Sequence, residues 1–250
     1  MTSTRKKLLL GSVIAAVLAA MIAPAAAQSL SFDMGAGGSS TGRIVQMVVL
    51  LTVLSLAPSI LVMVTSFTRI VVVLSFLRSA MGTQQTPPNA VLVSLALFLT
   101  AFVMTPTLEK SYRDGLLPLI ENQISEEEAI KRSIAPVHVF MMTHVREQDL
   151  KLFMDLSNTP AVAQSADTPL RALIPAFMIS ELKRAFEIGF LLFLPFVIID
   201  MVIASILMSM GMMMLPPVMI SLPFKLIFFV LVDGWYLVAG SLVQSYGGGG

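Results

Sequence analysis

Three charged side chains stand in stretches that are otherwise apolar. Asp200 lies in the middle of residues 188–214, and Lys225 and Asp233 lie within residues 218–243. A charge at bilayer depth costs about 2.5–3.5 kcal/mol on insertion scales and is a candidate functional position by default. Two kinds of chemistry are open to this set. With a turn centred near residue 213, Asp200 precedes the apex by nearly as many residues as Lys225 follows it. Their heights then differ by roughly 1.5 Å, so carboxylate and ammonium can pair across a hairpin. The same groups could instead pass protons or ions, although such a relay usually aligns more ionisable side chains.

A second constellation is soft rather than charged. Of the 18 methionines, Met201, Met208, Met210, Met212, Met213, Met214 and Met219 crowd around the turn Gly211-Met212-Met213-Met214-Leu215-Pro216-Pro217. Unbranched thioethers fill irregular core gaps. Yet three in succession at a tight turn cannot all face one core, and such a cluster equally suits a deformable surface that yields to varied partners. His138 and His144 are six residues apart, with no Glu at the spacing of a zinc motif, so no metal site is expected. No glycine-rich phosphate loop and no nucleophile elbow occurs. The residues therefore argue for a non-enzyme without cofactors. The enzymatic alternative is an exported, membrane-anchored enzyme built on His138 or His144.

The elements that must hold these groups follow from composition. The 250 residues are 56% hydrophobic and 12% charged, against roughly 45–50% and about 25% in soluble domains. So few charges cannot cover a soluble surface, and an all-α membrane protein is expected. The formal net charge of +1 says little, but its distribution is informative. Most charges fall within residues 109–187. Arg69 and Arg78 are alone in residues 44–105, and Asp200, Lys225 and Asp233 are alone after residue 187. The chain has no cysteine, which removes disulfides and thiolate metal sites. It also lacks the basic footprint of a nucleic-acid binder.

Arg5-Lys6-Lys7, the apolar residues 8–21, Pro24 and Ala25-Ala26-Ala27 form a cleavable signal peptide, with cleavage between Ala27 and Gln28. Residues 28–43 read as a Gly/Ser-rich exported leader. Residues 44–105 and 188–246 then read as two long helical hairpins, up to four crossings, flanking a helical extracytoplasmic insert over residues 106–187. Residues 247–250 are a glycine tail. With the leader outside, the insert is periplasmic and both tight turns face the cytoplasm; loop charge supports this only weakly. Pro58 is expected to kink the first span. In the insert, Ser125 with Glu128 fits a capping box. Glu127–Lys131, Glu128–Arg132 and Glu147–Lys151 are pairs in the favourable order. Pro136 is expected to break the helix, residues 158–168 to form a loop, and Pro169 to open a new helix. Ala185-x-x-x-Gly189 and Ser205-x-x-x-Ser209 permit close helix contact.

Several stretches are more specific than any of these patterns. Residues 65–70 (TSFTRI), 84–89 (QQTPPN), 175–190 (PAFMISELKRAFEIGF), 195–205 (PFVIIDMVIAS) and 222–235 (LPFKLIFFVLVDGW) closely resemble the FliP family of export-gate proteins in flagellar type III secretion. The resemblance runs from about residue 44 to 246. It implies a non-enzymatic inner-membrane subunit of the flagellar basal body, present in five copies with FliQ- and FliR-type partners and other export-apparatus membrane proteins. The assembly would conduct unfolded flagellar subunits. The resemblance also implies that much of the hairpins packs in that assembly rather than in lipid. It gives Met212, Met213 and Met214, with Met210 nearby, the role of a gasket closing the channel. Injectisome relatives share the fold; Thr68-Arg69-Ile70 and the methionine turn look like the flagellar branch. An ion-coupled transporter would show an internal repeat, and none is apparent.

Overall fold

The computed structural model describes residues 40–83, 85–158, 167–212 and 214–247. The signal peptide, the Ala27–Gln28 site, most of the leader, Met213, most of the 158–168 loop and residues 248–250 lie outside the described residues. The chain divides into two units, Met1–Leu51 and Thr52–Gly250. Of the first, the described part is the opening half of α1 (Ser40–Met63), which begins inside the expected leader.

The second unit continues with α2 (Phe67–Met81), α3 (Asn89–Ser111), a widened turn at Tyr112–Leu116 and α4 (Leu117–Ile120). The insert supplies α5 (Glu126–His144) and α6 (Glu147–Leu156). Then come α7 (Leu170–Ser209), α8 (Pro217–Leu231) and α9 (Gly234–Gly247). There is no strand among the described residues. α1 runs helically through residue 58 and ends at residues 64–66, where the Thr65 hydroxyl accepts the Phe67 N–H. Such local side-chain bonds compete with the helical ladder. α2 stops at Gly82, in the left-handed region at φ 76°, whose N–H donates to the Ser79 carbonyl.

The core follows one face of α2. Ile70, Val73, Leu74 and Leu77 recur at helical spacing and are buried against Leu92, Ala96, Ala185, Phe196, Phe229, Val238 and Leu242. α2 lies along α7, and α3 and α8 close the two hairpins. The Ala185–Gly189 pair makes the close contact that its small size permits. A Cβ on Gly189 would come 2.6 Å from the Phe76 ring. Ser205 and Ser209 are exposed and make no such contact. A second cluster, Val64, Met104, Phe140, Met141, Leu173 and Phe177, joins the insert to α3 and α7.

Several expectations are corrected. α7 is a single helix of 40 residues, about 60 Å long, twice a hydrocarbon core of roughly 30 Å. The boundary expected at residues 187–188 therefore falls inside it, just as the one at residue 105 falls inside α3. Pro106 and Gly189 stand next to these boundaries, and the helices run through both. Pro136 does not break α5. An interior proline costs about 3 kcal/mol, but buried Ala129 before it and His138, Phe140 and Met141 after it hold both halves in place. Pro169 caps α7 rather than opening its first turn. The last span is not straight: α8 and α9 are bent by 62°. Asp233 there adopts φ 51°, and a Cβ on Gly234 would lie 2.1 Å from the Phe229 ring. Among the described residues, Asn89–Ile120 and Leu170–Ser209 are long and apolar enough to cross a bilayer, and the bent pair α8–α9 would make a third.

In the insert, the Ser125 hydroxyl accepts the Glu128 N–H at 3.4 Å. Lys131 and Arg132 pair with Glu127 and Glu128 at 2.9 and 2.7 Å, and Arg132 holds the exposed Glu128 carboxyl below its usual range. Glu147 and Lys151 form no ion pair.

Candidate functional site: buried ion pairs and an exposed methionine turn

The charges of the second hairpin meet. Lys225, on α8, places its ammonium 2.7 Å from Asp200 Oδ2 on α7. The ammonium also donates to the Ala80 carbonyl of α2 at 3.3 Å. One turn before Lys225, the Ser221 hydroxyl donates to the other carboxylate oxygen of Asp200. Three helices are thereby tied at one point. Lys225 is buried, whereas the Asp200 side chain keeps 31% of its exposure. Asp233 stands apart from this pair. It is exposed at the α8–α9 bend, a place that suits a side chain tolerant of the left-handed region.

The methionine turn caps the same hairpin. Met210 ends α7, and Gly211 turns the chain at φ 76°. Met210, Met212 and Met214 are 63%, 44% and 99% exposed. Met208 and Met219 flank them, also exposed. The described thioethers therefore form an uncovered apolar tip, while Asp200 and Lys225 stay paired away from it.

A second buried pair escaped the sequence reading. Arg69 on α2 and Glu181 on α7 are 1% and 0% exposed. The guanidinium grips the carboxylate bidentately, Nε to Oε2 at 2.9 Å and Nη2 to Oε1. Its remaining nitrogen donates to Ser245 Oγ at 3.1 Å. The Tyr246 hydroxyl donates to Glu181, and the Tyr246 ring lies 3.9 Å from the guanidinium carbon, within cation–π range. The signal was present: an Arg isolated in an apolar block requires an acid. Glu181 was hidden because it lies in the charge-rich insert beside Lys183 and Arg184.

A third cluster docks the insert. Arg146 forks onto Asp149 at 2.8 and 2.7 Å. Ser180 of α7 donates its hydroxyl to Asp149 at 2.6 Å and accepts the Arg146 N–H at 3.0 Å. The Arg146 hydrogen bonds hold the Asp149 carboxyl below its usual range against the opposing effect of burial. In return Asp149 raises the Arg146 guanidinium. The two histidines are structural here. His138 Nε2 lies 2.8 Å from the Thr168 carbonyl. His144 Nδ1 lies 2.8 Å from the Phe140 carbonyl, and its ring packs against Tyr246.

Comparison with known proteins places these residues in one lineage. The FliP family model matches residues 50–242. The chain is 62% identical over 244 residues to the flagellar biosynthetic protein FliP of Caulobacter vibrioides, covering 96% of this chain and 91% of that protein. It is 56% identical over 202 residues to the Bacillus subtilis protein of the same name, covering 81% and 91%. The Aquifex aeolicus counterpart is 53% identical over 204 residues, covering 81% and 85%. Both ion pairs and the methionine tip fall within the matched residues, and the chain belongs to the FliP family.

Proposed function

We propose that this chain is a core inner-membrane subunit of the flagellar protein-export apparatus, lining the passage through which unfolded flagellar proteins leave the cytoplasm. Its family membership supports a role in flagellum biogenesis and export, and its long apolar helices support a membrane location. The reading includes five copies around one axis, FliQ- and FliR-type partner subunits and a periplasmic insert. It gives the chain no catalytic residue and no cofactor. One observation carries the conduit role: methionines exposed together at the tip of a helical hairpin whose Asp200 and Lys225 neutralise each other. A passage that must close when idle and widen around any sequence needs an apolar constriction that excludes water. Side chains that change rotamer at little cost meet that need. Met212, Met213 and Met214, with Met210 behind them, would form it.

Changing all three to Ala leaves assembly intact and makes the resting passage leak small ions. Changing them to Asp increases the leak. Membrane-potential loss in cells, with assembled protein measured in parallel, checks this. A triple-Ala assembly as tight as the parent would remove the gasket role.

A further inference from the structure

α9 is held to the bundle differently from the other helices. Between α7 and α9 lies an apolar cavity of about 230 Å³ bounded by Ile188, Leu192, Leu237 and Leu242. On its other flank a groove of about 1000 Å³ opens toward α3 and α5, with Phe102, Val139 and Val243 in its walls. With an open groove on each flank, α9 forgoes dispersion contacts that the α2–α7 contact makes. Val238 and Leu242 still point inward. Its far end is fastened by polar groups. The Tyr246 hydroxyl donates to Glu181 and lies 3.4 Å from the Ser66 carbonyl oxygen. Its ring covers the Arg69 guanidinium, which also reaches Ser245. Its near end is the 62° bend, with Asp233 exposed at φ 51°.

We propose that α9 is a hinged strap, latched shut by Tyr246 on the Arg69–Glu181 pair, that swings from α7 about Asp233–Gly234 while α2 and α7 stay packed. Opening joins the cavity to the groove and bares the apolar face of α7 around Ile188 and Leu192. The latch can release because Arg69 and Glu181 remain bidentate partners without it, so neither buried charge is left alone. The strap stands on this geometry and not on the export reading.

The test uses the full-length chain in its native membrane. Leu242, 1% exposed on the inner face of the strap, is changed to Cys in a chain that has no other cysteine. Tyr246→Phe then removes the latching hydroxyl and keeps the ring. A hydrogen bond to a charged group is worth roughly a tenfold or greater change in an opening equilibrium. Maleimide labelling of the Leu242→Cys thiol should rise by about that factor. Amide exchange along α9 should quicken similarly in Tyr246→Phe alone, with α2 unchanged. Exchange that quickens together in α2 and α9 would make α9 inseparable from the fold and overturn the strap. Unchanged labelling and exchange would show apolar contacts holding α9 and overturn the latch. Should Leu242→Cys fail to accumulate, the exchange comparison alone decides.

Discussion

The Arg69–Glu181 and Asp200–Lys225 pairs both bridge separate helices, but the chain encloses them to different degrees. Arg69 and Glu181 are dry on both sides and share their remaining hydrogen bonds with Tyr246 and Ser245. Asp200 retains 31% of its exposure while Lys225 retains 5%. Desolvation makes a buried pair contribute little on balance, yet makes the loss of one partner severe, because the other charge is left without water or counter-ion. The first pair therefore acts as an all-or-none fastening between the two hairpins. The second fastens one hairpin to itself and to the end of α2, with the carboxylate only partly enclosed by the chain.

This contrast gives an order of effects. Glu181→Ala strands Arg69 and should cost about 3–5 kcal/mol, enough to remove most of the protein from the membrane fraction by quantitative immunoblot. A Glu181→Ala protein that accumulates normally would break the comparison at its strong end. Lys225→Ala leaves a partly enclosed carboxylate that keeps its Ser221 hydrogen bond, so about 1–3 kcal/mol is expected, with reduced rather than lost accumulation. Combining it with Asp200→Ala should restore part of the loss, whereas strictly additive losses would contradict direct pairing.

The smallest effect belongs to the insert, where Asp149 is buried but braced by Arg146 and Ser180. Its carboxyl is held below the ordinary range by Arg146. A carboxyl with a lowered folded value stabilises above its unfolded value, about pH 3.9. That contribution fades as pH falls through the lowered one. The contact of the insert with α7 should thus be unchanged from neutral pH down to about 4–5 and loosen only below that. Limited proteolysis of the insert across that range checks it, and Asp149→Asn should abolish the acid step. Loosening that begins near neutral pH would mean that some other group governs this contact.

Much of this molecule is legible in local sums over the sequence. Apolar share and charge spacing place it in the membrane and make it helical. The positions of Asp200 and Lys225 about one apex bring them level on adjacent helices, and the structure pairs them. Pro216-Pro217 after Gly211 makes a turn, and no charge near it covers the methionines. The Ser125 cap and two of the three insert ion pairs follow from spacing alone, because their partners lie within one helical turn.

Other features depend on which helix lies against which. Arg69 announces that it needs an acid, but its partner is 112 residues away, and only the contact of α2 with α7 selects Glu181 from the many acids of the insert. The same contact explains why a charge-rich stretch continues as helix into an apolar one without a break at residue 187. Pro136 is a breaker by its chemistry and is overridden by packing on either side. The bend at Asp233 and Gly234 is read as an ordinary part of a span until Asp233 turns to φ 51° and the Phe229 ring packs where a Cβ on Gly234 would lie. Hydropathy and periodicity are sums over neighbours, and they set class, helicity and the exposed methionine tip. Pairing, bending and continuity are settled by steric fit and desolvation between segments far apart in the chain, and these exist only once the helices have packed.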